Sequence, residues 1–180
     1  PDVAGELTKL DELYDSEVLE NREFTQINIE KELHDTPFSI VHVASHGKFQ
    51  SEVQNTFLLT YDGKLNMDTL EGYMASTTYR DQPVELLTLS ACQTAVGDDK
   101  AALGLGGVAV KAGARSALAT LWYINDEASS QLITDFYTNL KDTGNSKARA
   151  LREAQLAMIE DPRFSHPSYW APFLLIGNWL

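Results

Sequence analysis

One cysteine, Cys92, stands among 180 residues, so no disulfide can form within the chain. Basic side chains are also scarce: 14 lysines and arginines face 26 acids, a formal net charge of −12. Such a charge repels phosphates and argues against a nucleic-acid partner, whereas a basic peptide would approach readily. No apolar run approaches the roughly 20 residues needed to cross a bilayer, and the first residues lack the charged, apolar and small-residue order of an export signal. These absences point to a soluble protein of a reducing, cytoplasmic compartment with no membrane partner. Internal repeats and low-complexity tracts are missing, as are a Gly-x-Ser-x-Gly elbow and a phosphate loop ending in Gly-Lys-Ser or Gly-Lys-Thr.

What is present is the material for one domain: 43% of the residues are hydrophobic, enough for a full core at this length. Leu7, Leu10, Leu13 and Tyr14 recur at helical spacing within Ala4 to Tyr14. Glu17 to Glu20 reads as a short strand. Thr25 is placed to cap a helix carrying Ile29 and Leu33 that ends before Pro37. Ser39 to Ala44 reads as a strand, and Phe49 to Thr56 as a loop. Phe57 to Tyr61 and Lys64 to Asn66 flank Asp62-Gly63, a strong hairpin signal. Asn66 or Asp68 caps a helix with Met67, Leu70 and Met74. Leu86 to Leu89 and Ser116 to Leu121 read as buried strands. Ala101 to Ala112 reads as a tightly packed helix stopped by Gly113. Asn125 or Asp126 caps the next helix, Ser146 starts the last, and Phe173 to Gly177 forms the final strand. Strands alternating with helices imply an α/β fold with a mostly parallel sheet, flanked by helices.

Two of these strands deliver chemistry to one rim. Leu86 to Leu89 runs into Ser90-Ala91-Cys92, and Ser39 to Ala44 runs into Ser45-His46-Gly47. In open α/β sheets the carboxyl ends of the strands hold ligands. A thiol needs a nearby base or cation to become a nucleophile at neutral pH, and an imidazole supplies either. Cys92 alone would be an ordinary buried cysteine. Asp126 is in the first instance a helix cap, yet it follows the strand ending at Leu121-Trp122 and so faces the same rim. Metal binding is disfavoured: His42 and His46 would lie about 13 Å apart at strand rise, and His34 and His166 have no ligand spacing. Gly104 to Gly107 fits a loose dinucleotide pattern, but no strand leads directly into it.

With these residues in view, the sequence resembles the CHAT domain, a caspase- and separase-like cysteine protease family of peptidase clan CD found widely in bacteria. Val41-His42-Val43-Ala44-Ser45-His46-Gly47 resembles the family's His-Gly motif, and Leu89-Ser90-Ala91-Cys92-Gln93-Thr94-Ala95 its Ser-Ala-Cys-x-Thr motif. Ala112-Gly113-Ala114-Arg115, Leu121-Trp122 with Asp126, and His166 to Phe173 with Ile176-Gly177 also match, so the likeness runs from about Ala4 to the end. The resemblance implies a caspase-like fold with a small hairpin after the histidine strand, and a Cys92–His46 dyad that cleaves a protein or peptide substrate without a cofactor. It implies an oxyanion held by the amides of Gly47 and Cys92, and Asp126 as the selector of arginine or lysine before the cut. It further implies an N-terminal part that supplies a further sheet edge, and a neighbouring helical-repeat (TPR-like) region. The alternative, from a different class, is a silent or activator-dependent signalling module that works by protein binding.

Overall fold

The computed structural model describes residues 3–49, 56–74, 82–90, 93–94, 113–122, 124–142 and 144–180. Their elements, in order, are helix α1 (Ala4–Tyr14), a 3-10 turn (Asn21–Glu23), α2 (Gln26–Asp35), strands β1 (Ile40–Ala44), β2 (Gly47–Phe49), β3 (Phe57–Thr60) and β4 (Gly63–Asn66), then α3 (Met67–Met74) and β5 (Leu86–Ser90). They continue with β6 (Gln93–Thr94), β7 (Ser116–Thr120), α4 (Asp126–Lys141), α5 (Lys147–Glu160), the short α6 (Pro167–Trp170) and β8 (Phe173–Gly177).

Four strands form the central sheet in the order β1-β5-β7-β8. β1 pairs with β5 and β5 with β7 in parallel, while β8 returns antiparallel to β7. The fold is thus the expected α/β arrangement, a mostly parallel sheet between helices. β5 and β7 are buried along their whole length, which is why their residues read as nearly continuous apolar or small runs. Alternation splits the side chains between two faces. Val41 and Val43, Leu87 and Leu89, and Ala117 and Ala119 pack with Ile29 and Leu33 of α2 and with Leu70 and Met74 of α3. Ile40, Leu86, Leu118 and Phe173 turn the other way, onto Leu10 of α1, Phe136 and Tyr137 of α4 and Ala150 and Ala154 of α5. Leu87 and Leu118 are fully enclosed, each contributing about 1.5–3 kcal/mol of transfer free energy.

Local signals account for most helix ends. Thr25 Oγ1 accepts the Asn28 amide, Asn66 Oδ1 the Thr69 amide, and Ser146 Oγ the Arg149 amide. The cap of α4 is Asn125, whose Oδ1 accepts the Ala128 amide at 3.1 Å, so Asp126 is the first helical residue and not the cap. Other expectations need correction. Glu17 to Glu20 forms no strand, and the 3-10 turn follows it. The hairpin turns one residue early, on Tyr61-Asp62, because Gly63 pairs with Thr60. The helix at Ser146 is followed by another, α6, which starts on Pro167 and is capped by His166. A second sheet, β4-β3-β2-β6, begins inside the segment expected to lead into a loop. The helix expected over Ala101 to Ala112 lies outside the described residues.

Candidate functional site

β1 and β5 place two chain exits side by side. Their register pairs Ala44 with Ser90, and the Ser45 amide still reaches the Ser90 carbonyl at 3.3 Å. β1 stops there, since Ser45 is a bend, and the chain re-enters extended structure as β2. β2 pairs in parallel with β6, Lys48 with Gln93 and Phe49 with Thr94. His46 therefore lies between Ala44 and Lys48, the partners of Ser90 and Gln93. Cys92 itself falls outside the described residues, as do Ala95 to Lys100 and Gly104 to Gly107; the residues on both sides of it, Ser90 and Gln93, are those paired with the neighbours of His46.

His46 is exposed, and its carbonyl accepts the Leu59 amide at 2.8 Å. That bond identifies Gly47–Leu58 as the non-hydrogen-bonded kind of antiparallel pair. The Gly47 N–H consequently points away from β3, to the side of the sheet on which β6 lies. Among the described residues none holds the His46 ring by a hydrogen bond.

β7 ends at the same rim, with Leu89 opposite Ala119. Trp122 follows, 42% exposed, its indole donating to the Ser168 carbonyl at 3.3 Å. Asp126, partly exposed at the start of α4, is released from capping by Asn125. Its carboxylate is in the first turn, where the helix dipole favours negative charge.

His42 has a different use. Its Nε2 lies 2.8 Å from Glu6 Oε1 of α1, with the two side chains 10% and 3% exposed. Its Nδ1 lies 3.3 Å from the Tyr137 hydroxyl, which donates to Thr88 Oγ1 at 2.7 Å. The Tyr14 hydroxyl donates to the Tyr137 carbonyl at 2.9 Å, and the rings of Tyr14 and His42 each meet Tyr137 edge-on. Burial pushes the phenols of Tyr14 and Tyr137 above the ordinary range. This cluster escaped the sequence reading, because Glu6 and Tyr137 are far apart in the chain and neither belongs to a motif. The buried polar positions 42 and 88 in otherwise apolar strands were the only signal. Among the described residues no group of three His, Cys, Asp or Glu could hold a metal ion.

Among the described residues no strand of the central sheet neighbours the outer side of β1. A cavity of about 620 Å³ runs along it, lined by Ser39 through Ala44 and by Leu7 and Leu10 of α1, Leu33 of α2 and Phe38 among others. No described helix is long and apolar enough to cross a membrane.

Comparison with known proteins follows the same lines. Tetratricopeptide repeat protein 28 of Homo sapiens is 36% identical over 98 residues, and that of Mus musculus 36% identical over 97 residues. Each match takes in 53% of this chain and only 4% of the relative, so the chain spans a small part of these proteins' length. A family model described as the CHAT domain matches residues 1–178. A match over nearly the whole length, on a parallel sheet with the caspase-like arrangement of strands and helices, means that this chain belongs to the CHAT domain family.

Proposed function

We propose that the chain is a cysteine endopeptidase whose centre is the pair His46 and Cys92. The observation that carries this reading is the double pairing of Ala44 with Ser90 and of Lys48 with Gln93. It ties the neighbours of the imidazole to the neighbours of the thiol on two successive sheets. In this reading the Cys92 thiolate attacks a peptide carbonyl carbon and forms a thioester as the amide C–N bond breaks. The oxyanion is held by the amides of Gly47 and Cys92, a type of interaction worth about 3 kcal/mol or more of barrier per donor. The orientation of the Gly47 N–H away from β3 supports its role. His46 gives its proton to the departing amine and then takes one from the water that hydrolyses the thioester. Asp126, free of the capping duty, selects an arginine or lysine before the cut, and the strongly acidic chain favours such a substrate.

A series of fluorogenic peptides tests the reading. Peptides ending in arginine or lysine should be cleaved, Cys92→Ala should abolish turnover with the fold intact, and Asp126→Ala should lower the rate on basic peptides selectively. Wild-type turnover by Cys92→Ala would remove the nucleophile from the account.

A second reading is favoured by the cavity beside β1: a module that acts by binding, or that needs binding before it acts. The open edge and its apolar walls suit an added extended strand, with backbone hydrogen bonds to β1 and apolar side chains on both sides. On this reading residues 1–180 are the larger part of a CHAT domain whose sheet gains a further strand from an N-terminal part. We read the domain as cytoplasmic and joined to a helical-repeat region of the kind that the names of its relatives announce. Slow alkylation of Cys92, at the rate of an unactivated thiol, would favour binding over catalysis.

A further inference from the structure

The cluster beneath β1 and β5 has a geometric relation to the proposed pair. His42 and Thr88 are register partners, and both project onto the face covered by α1 and α4. Each stands four residues before a member of the pair, His42 before His46 and Thr88 before Cys92. A single hydroxyl, that of Tyr137, joins them at 3.3 and 2.7 Å. We infer that Tyr137 is a positioning residue: shared between His42 and Thr88, its hydroxyl fixes the register of the two strands that lead to His46 and Cys92. This inference rests on the reading of those two residues as a catalytic pair.

The need for such a clip follows from the sequence of β5. In Leu86-Leu87-Thr88-Leu89 both faces are buried and, Thr88 apart, apolar, so a slip of one residue would exchange leucine for leucine except where Thr88 stands. Hydrophobic pattern specifies register weakly in such a strand. Thr88 is its one polar side chain before Ser90, and a slip would leave its hydroxyl without a partner in the interior, at about 1–3 kcal/mol, and would take from Tyr137 one of its two partners. On β1 the same holds for His42. Its two ring nitrogens face Glu6 and Tyr137, so displacement of β1 would break a charge-assisted contact as well.

Proton counting ties the members together. The phenol has one proton and gives it to Thr88 Oγ1. Its lone pair can then receive a proton-bearing Nδ1 of His42, the roles of the two ring nitrogens toward Tyr137 and Glu6 being set by the tautomer. With Nδ1 bare, the phenol would have to donate to it and accept from Thr88 instead. In either arrangement the three groups are satisfied only when His42 and Thr88 stand opposite each other.

The only thiol of the chain provides the test. Iodoacetamide alkylation of Cys92 would be followed from pH 5 to 9 in the wild type and in His46→Ala, Tyr137→Phe, Thr88→Ser and the double variant Tyr137→Phe/Thr88→Val, with urea unfolding of each. We expect Tyr137→Phe to slow alkylation near pH 7 by about tenfold or more, the scale of an ångström-sized misplacement. Thr88→Ser keeps a hydroxyl and should keep the wild-type rate. The double variant removes both hydroxyls and should regain urea stability but not reactivity. Reactivity recovering together with stability would overturn the inference and leave Tyr137 a purely structural residue, as would an unchanged rate in Tyr137→Phe. If His46→Ala alkylates like the wild type, the catalytic reading fails first and the role given to Tyr137 falls with it.

Discussion

Removing the Glu6 carboxylate should be among the most damaging single changes on the surface-to-core boundary of α1. Glu6 would be read from the sequence as a solvated helix residue, yet it is 2% exposed and meets His42 at 2.8 Å. Glu6→Ala leaves a ring nitrogen of a buried imidazole without its partner, and an unsatisfied buried polar group costs about 1–3 kcal/mol. For a chain of this size that corresponds to a fall in Tm of about 2–12 °C. Glu6→Gln retains an acceptor oxygen and should cost clearly less. His42→Leu alone strands the carboxylate and should resemble Glu6→Ala. The double variant Glu6→Leu/His42→Leu removes both polar groups and should recover most of the loss, since apolar replacement of a buried pair is often neutral. Urea unfolding, compared at constant m, reads each value. A Glu6→Ala loss below about 1 kcal/mol, the range of an exposed pair, would refute the burial argument, as would a double variant no more stable than its singles.

Gly177 has φ +94°, and a Cβ there would lie 2.4 Å from the Arg115 carbonyl oxygen. Gly177→Ala should therefore cost several kcal/mol, at least the roughly 1–3 kcal/mol of a strained backbone, with a correspondingly lower urea midpoint. Leu118→Ala in the centre of the sheet should cost about 2–5 kcal/mol by the same measurement. Asn125→Ala removes the cap of α4 and should cost about 1 kcal/mol; a loss in Asp126→Ala as large as this would contradict the assignment of the cap. The Thr60 hydroxyl holds the exposed Asp62 carboxyl below its ordinary range, helped by the Gln26 amide and opposed by slight desolvation, so Thr60→Val should move its titration to higher pH in an NMR pH series. An apolar peptide in extended form should raise Tm by filling the groove along β1. No shift, together with no protection of the β1 amides from exchange, would remove the binding reading.

The sequence made some parts of this molecule readable because local chemistry decides them. The bounds of α1, the Thr25 and Ser146 caps and the apolar run of β5 follow from periodicity, capping residues and burial on both faces, none of which needs a distant partner. The hairpin at Asp62-Gly63 was legible to within one residue for the same reason. The second sheet was not, since β2 and β6 are three and two residues long and exist only through pairing with other strands, β2 with β3 and β6, and β6 with β2. Glu17 to Glu20 shows the converse: Val18 and Leu19 between two acids read as a strand, but no described strand pairs with them. Placing the cap of α4 on Asn125 instead of Asp126 was a choice between adjacent good capping residues. For the candidate site, the two strand ends were legible from the runs that lead into His46 and Cys92. The Glu6–His42–Tyr137–Thr88 cluster was not, because it joins four elements.

The separation between the Cys92 sulfur and the nearer His46 ring nitrogen, measured in a crystal structure, tests the central claim most directly. A dyad requires about 3–4 Å, the reach of a hydrogen bond somewhat loosened before substrate arrives. A sulfur sealed among core side chains, or turned to the opposite end of the sheet from the imidazole, would contradict it.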